Sequence, residues 1–173
     1  MCNNSKLYEE TIEVLKNNYI KSNTNRITAS GFNYAILDRR GQMRSVGNPC
    51  KSETYGIVKK MIIKKGENPY QPAVNNTKKP IVYECLKHLI KNIAPDFEYT
   101  AITLNFNFKC KPHKDSGNKK ESLIIGLGDY KGGELVVDGV EFDIKEKPLI
   151  FNGGELTHYV NEFDGNRWTI VYY

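Results

Sequence analysis

From Tyr99 onward the chain reads as a succession of short strands separated by tight-turn residues, and no other feature narrows the fold as much. The segments 99–108, 122–127, 134–137, 141–144, 148–151, 156–160 and 167–173 are rich in β-branched and aromatic residues. Between them lie Gly132-Gly133, Asp138-Gly139, Asn152-Gly153-Gly154 and Asp164-Gly165-Asn166, which suit hairpins and turns because glycine and asparagine reach positive φ at low cost. Many short strands at this spacing predict a sandwich or jelly roll.

The first half has a different grammar. Leu7, Thr11, Leu15 and Tyr19, with Ile12 alongside, predict an amphipathic helix over 6–20. A second helix is predicted from Pro80 to Ile93, where proline fits the first turn and Ile81, Val82, Cys85, Leu86, Leu89, Ile90 and Ile93 form one wide apolar face; Pro95 stops it. Between the helices, 32–37 and 56–63 read as strands amid Gly, Asn and Pro punctuation. At 173 residues, one domain is expected: mainly β with flanking helices (α+β), a helical and mixed part over 1–98 packing on a jelly-roll core over 99–173.

Cys2, Cys50, Cys85 and Cys110 lie far apart, in neither a zinc pattern nor a disulfide framework, which suits a reducing compartment. The N-terminal stretch has no apolar signal core, and no apolar run approaches the ~20 residues of a membrane span. The expectation is an intracellular protein, cytoplasmic or nuclear, with no membrane segment.

Charge is unevenly distributed. Residues 1–100 hold 16 Lys+Arg against 9 Asp+Glu, a balance of +7, while residues 101–173 hold 9 against 11, a balance of −2. Arg39, Arg40, Arg44, Lys51, Lys59, Lys60, Lys64 and Lys65 concentrate the excess in a segment over 39–65 that suits DNA or RNA phosphates. A solvated lysine-rich surface is the plain alternative.

The chemistry-bearing residues sit in the strand-rich half. His113 and Asp115 are two apart, so an extended backbone points both the same way. His158 follows a glycine pair, on a strand that a jelly roll can return beside the first two. Two imidazoles and one carboxylate bind iron(II) on one face and leave other positions open, although zinc accepts the same ligands. His88 lies apart, on the second helix, and reads as a surface or packing residue.

Arg167 opens a terminal strand whose period of two puts Arg167, Thr169, Val171 and Tyr173 on one face and Trp168, Ile170 and Tyr172 on the other. A guanidinium there can grip a carboxylate through two parallel hydrogen bonds. By the same alternation Thr103, Asn105 and Asn107 share a face opposite Leu104, Phe106 and Phe108, either toward a ligand or in an internal polar network. Asn118 is placed to line the mouth of the site, and Arg44 is the candidate contact from the basic segment.

Asn105 to Asp115, the stretch Leu127-Gly128-Asp129-Tyr130-Lys131-Gly132-Gly133-Glu134-Leu135, then His158 and Gly165-Asn166-Arg167-Trp168-Thr169-Ile170-Val171-Tyr172 resemble the iron(II)- and 2-oxoglutarate-dependent dioxygenases, with the TET/JBP-like branch most similar. The resemblance spans roughly 99–173. It implies a double-stranded β-helix, a cupin-like jelly roll, in which His113, Asp115 and His158 hold iron(II). Arg167 would pair with the distal carboxylate of 2-oxoglutarate, with Asn105 and Thr169 in the same pocket and O2 as oxidant. The implied activity is oxidation of a substrate C–H bond, on this branch of a methylated nucleic-acid base. A prolyl-type protein or small-metabolite hydroxylase, and a catalytically silent binding domain, are the other readings. The long insertions and cysteine-rich region of animal TET proteins are absent, so their DNA specificity does not transfer.

Overall fold

The computed structural model describes residues 4–31 and 34–173. Helix α1 (Ser5–Asn17) leads into β1 (Thr24–Arg26), a hairpin of β2 (Tyr34–Leu37) and β3 (Met43–Val46), then β4 (Asn48–Lys59), β5 (Tyr70–Pro72), α2 (Asn75–Lys78) and α3 (Pro80–Ile93). The later half supplies β6 (Ala101–Phe106), β7 (Ser122–Gly132), β8 (Leu135–Val137), β9 (Val140–Phe142), β10 (Leu149–Phe151), β11 (His158–Val160) and β12 (Phe163–Tyr172).

Apart from the separate β2–β3 hairpin, these strands form two antiparallel sheets. The larger runs β1-β4-β6-β12-β7-β10 with β5 on the free side of β4, and the smaller runs β11-β8-β9. Each face of the large sheet buries a different core. Trp168, Ile170, Tyr172, Leu104 and Tyr55 pack under α1 and α3, meeting Leu15, Val82, Leu86 and Leu89. On the other face Ile124 and Val171 meet Leu135, Val137 and Val160 of the small sheet. A buried core shared by two sheets, with helices on the outer face of one, is the double-stranded β-helix.

The N-terminal half does more than pack on the jelly roll. Strand β4 is hydrogen-bonded into it, from Lys51 opposite Phe106 to Gly56 opposite Ala101. The 56–63 segment therefore belongs to a strand that begins earlier, at Asn48, and ends at Lys59; Met61, Ile62 and Ile63 lie in an exposed loop beyond it. Phe32 and Asn33, at the start of the other predicted strand, and Cys2 lie outside the described residues.

Four further expectations are corrected. Asp164-Gly165-Asn166 is not a connector but part of β12, paired in continuous register with β7. Gly165, at φ +104, lets the strands approach where a Cβ would stand 2.3 Å from the Asp129 carbonyl oxygen. Phe108 leaves the face of Leu104 and Phe106, because Asn107 at φ +47 breaks the alternation and turns Phe108 toward Ala29 and Cys110 in the inter-sheet core. In α3 the apolar face is narrower than predicted: Ile81 is 65% exposed while Val82, Leu86, Leu89 and Ile90 are buried. Helix α1 stops at Asn17, so Tyr19 falls outside it.

Tyr55, an aromatic on the segment considered for nucleic-acid contact, is fully buried beneath α3, stacked at 6.0 Å on Tyr83, and donates to Glu53 at 2.7 Å. Burial first, and the bond to Glu53 second, push its phenol well above the ordinary tyrosine range. It is a neutral core residue that no base can reach.

Candidate metal centre

The three ligand candidates come from two segments that the fold lays side by side. His113 follows β6 through a turn, and its backbone exchanges both hydrogen bonds with His158 at the start of β11 (3.1 and 3.0 Å). Asp115 is fixed by its own amide, which donates to the Gly153 carbonyl at 2.8 Å. Gly153 also clears the space: a Cβ there would stand 3.1 Å from Asp115 Oδ2 and 3.4 Å from His158 Cε1. The Asn152-Gly153-Gly154 stretch thus supplies room at the site as well as a turn.

The ring orientations suit a cation. His113 Nδ1 lies 2.7 Å from the Lys111 carbonyl and His158 Nδ1 lies 3.0 Å from the Leu156 carbonyl. Each Nδ1–H donates to its carbonyl, which leaves Nε2 of both rings for a shared centre. Those Nε2 atoms stand 3.3 Å from Asp115 Oδ1 and Oδ2 respectively, and one ligand atom from each residue falls within 4.8 Å of the others. Burial alone would raise Asp115, but hydrogen bonds from both imidazoles hold it well below the usual carboxylate range. Burial likewise would lower His113, yet bonds to Asp115, Cys110 and the Lys111 carbonyl raise it to about 10. A proton held between imidazole and carboxylate occupies the place a cation would take.

A cavity of about 390 Å³ opens from this trio into the inter-sheet space. That is within the range of roughly 300–1,000 Å³ for small-molecule sites. At its inner end Arg167, Thr169, Val171 and Tyr173 of the terminal strand face Thr103 and Asn105 of β6. Asn105 is buried and donates to Thr169 Oγ1 at 3.4 Å, while its Oδ1 has no partner among the described residues. Arg167 is 1% exposed; one terminal nitrogen donates to the Gly133 carbonyl at 2.9 Å, and Nε has no partner among the described residues. Burial lowers the guanidinium from its very high ordinary pKa, opposed by Tyr130, and an arginine so placed keeps its charge. A buried cation forming no ion pair among the described residues leaves room for an anionic ligand.

The Gly-Asp-Tyr-Lys-Gly-Gly stretch over 128–133 acquires a physical meaning here. It builds one side of the cradle of Arg167: its Tyr130 lies against the guanidinium at 5.4 Å and its Gly128 pairs opposite Arg167 in the sheet, while Phe163 of β12 closes the cradle at 5.3 Å. Gly133, at φ +74, leaves space where a Cβ would stand 2.9 Å from Arg167 Nε. Gly133→Ala is accordingly expected to displace the guanidinium and weaken binding of a dicarboxylate about tenfold or more, equivalent to roughly 1.4 kcal/mol. Calorimetric titration with 2-oxoglutarate measures this, and unchanged affinity would remove Gly133 from the cradle.

The remaining candidates divide. Asn118 lines the cavity near its mouth and donates to Ser122 Oγ at 3.1 Å, so part of its role is to order the 115–118 turn. Arg44 lies on the β2–β3 hairpin and is not among the residues lining the cavity. His88 is exposed on α3 beside Asn92. Arg26, Cys110, Lys114 and Ser116 line the cavity without having been singled out for it. The pairing of β1 with β4, with Arg26 opposite Asn48, and of 28–30 with 109–111 brings Arg26 there, and neither contact leaves a periodic signal in the sequence.

No family model matches the sequence, and no curated protein does. Solved structures do match. NgTET1, solved in complex with 5mC DNA, superposes with a TM-score of 0.50 at 15% identity, over 98% of this chain and 90% of that one. A 2OG-Fe(II) oxygenase family oxidoreductase from Burkholderia pseudomallei gives 0.49 at 18% identity, over 81% of this chain and 71% of that one. A Pseudomonas putida prolyl-4-hydroxylase gives 0.48 at 15% identity, over 96% and 84%. The likeness to NgTET1 is one of fold.

Proposed function

We propose that this chain is an iron(II)- and 2-oxoglutarate-dependent dioxygenase that oxidises a C–H bond of a nucleic-acid base. The observation that carries the reading is the pairing, within one cavity, of a His-Asp-His trio with a buried, incompletely partnered arginine. The trio would hold the metal through His113 Nε2, His158 Nε2 and an Asp115 carboxylate oxygen. Arg167, with Asn105 and Thr169, would hold the far carboxylate of the cosubstrate. Bound there, iron(II) with 2-oxoglutarate and O2 supplies oxidation of a C–H bond, with succinate and carbon dioxide as the other products.

The protein's own part is positioning and exclusion of water. The Lys111 and Leu156 carbonyls fix both rings in one tautomer. Arg167 draws one carboxylate to the inner end, directing the other end of a dicarboxylate toward the trio. Ile124, Leu135, Val160 and Val171 line the intervening wall and keep it apolar.

Support for a nucleic-acid substrate is the basic surface near the mouth together with the fold shared with NgTET1, whose structure contains 5mC DNA. Arg26 and Lys114 line the cavity itself. The hairpin carrying Arg39, Arg40 and Arg44 joins β4 at Asn48, the end of that strand nearest the turn to His113. These residues would grip phosphates while a base enters the cavity, which requires it to leave the stack. Succinate formation from 2-oxoglutarate by the iron-loaded protein tests the enzyme class without any substrate. Mass spectrometry after incubation with methylated single- and double-stranded DNA, RNA and proline-containing peptides tests the substrate class. New oxygen on nucleosides is expected; oxygen appearing only on peptides would transfer the assignment to a protein hydroxylase.

A further inference from the structure

The basic segment divides at β4. Arg39, Arg40 and Arg44 precede that strand at the end nearest the metal centre, but Lys59, Lys60, Lys64 and Lys65 follow its other end, where Gly56 lies opposite Ala101. The lysines therefore sit at the end of the strand away from His113 and need a separate explanation.

Their setting is a ribbon of β4 and β5 whose loop projects three apolar side chains between two lysine pairs. Met61 is 101% exposed, Ile62 81% and Ile63 43%, while Lys64 and Lys65 are exposed beside them. On the ribbon, Ile57 pairs with Pro72 and Lys59 with Tyr70, and all four are exposed. From 59 to 67 the chain carries four lysines against one acid, Glu67, which lies 3.6 Å from Lys60. The structure thus presents an aliphatic tip, a tyrosine behind it and cations on both sides.

We infer that this loop docks on an anionic lipid surface, with Met61, Ile62 and Ile63 entering the acyl boundary and the lysine pairs at headgroup level. Charge complementarity selects the occupant. Apolar residues flanked by lysines match the vertical order of a bilayer interface, where tyrosine also favours the headgroup zone. A single-stranded nucleic acid would instead be met by aromatic stacking platforms, and the tip is aliphatic. No helix among the described residues is long and apolar enough to cross a membrane.

The experiment is co-sedimentation of the full chain with vesicles of phosphatidylcholine alone and of phosphatidylcholine with phosphatidylserine, at low and high salt. Binding is expected only to the anionic vesicles and is expected to weaken with salt. The variant Met61→Ser/Ile62→Ser should lose it, and Lys64→Glu/Lys65→Glu should weaken it about tenfold or more. Arg39→Glu/Arg40→Glu should leave it unchanged. Absence of binding to anionic vesicles, or binding indifferent to the loop variants, overturns the inference. So does loss of single- or double-stranded DNA binding in Lys64→Glu/Lys65→Glu without any vesicle binding by the parent, which would give this face to nucleic acid. Succinate formation should be unaffected by the loop variants, which lie outside the cavity, so this outcome is independent of the enzyme assignment.

Discussion

Replacing His158 by alanine is expected to abolish iron(II) binding. In the proposed site His158 would supply one of three protein ligands; it is 4% exposed and shares Asp115 with His113. Even changes to residues that merely support a metal ligand cost about 10–100-fold in affinity, so removal of a ligand exceeds that. His113→Ala and Asp115→Ala should behave alike. In the parent protein a proton must leave His113 as the metal enters, because the metal-free imidazole is held in its charged form by Asp115. Affinity should therefore rise with pH across the neutral range, with proton release measurable by titration in buffers of different ionisation enthalpy. Retained stoichiometric iron binding in His158→Ala would place the metal elsewhere.

The second large effect is on the cosubstrate. Arg167→Ala removes a buried charged group from the cavity wall, and truncating one partner of a buried charge pair costs about 2–5 kcal/mol, or roughly 30- to several-thousand-fold in affinity. Ligand-free stability should change much less, since the deletion also removes a desolvated cation that no carboxylate pairs among the described residues. The stabilisation expected from 2-oxoglutarate in a thermal melt of the parent should be lost in the variant, while the ligand-free melting temperature moves little. Arg167→Lys should recover only part of the affinity, because an ammonium lacks the planar fork that meets a carboxylate twice. Equal dicarboxylate stabilisation in parent and Arg167→Ala would exclude the cradle as the binding site.

How much of this was legible in the sequence follows from the range over which each signal acts. The terminal strand could be read face by face because its alternation is local: Arg167, Thr169, Val171 and Tyr173 line the cavity, and Trp168, Ile170 and Tyr172 enter the other core. The spacing of His113 and Asp115 is local in the same sense. Phe108 was misplaced because one positive φ at Asn107 reverses the alternation, and asparagine tolerates that conformation without announcing it. Gly165 was read as a turn because glycine marks turns and close strand approach equally well, and only the register with Asp129 and Tyr130 separates the two. Gly133 and Gly153 show the same limit. Their value lies in the atom that occupies the missing Cβ position, Arg167 Nε in one case and Asp115 Oδ2 in the other, and both come from distant sequence. Strand β4 escaped for a further reason: it is a central strand with β1 and β6 as neighbours, so its boundaries are fixed by pairing partners rather than by its own composition.

The most direct measurement of the central claim is anaerobic titration of the metal-free protein with iron(II) and then 2-oxoglutarate, watched for a weak visible charge-transfer band. The account predicts a band that needs both additions, is absent in His158→Ala and is much weakened in Arg167→Ala. Iron binding that yields no band with 2-oxoglutarate, or a site that takes zinc tightly and ignores iron, would contradict it.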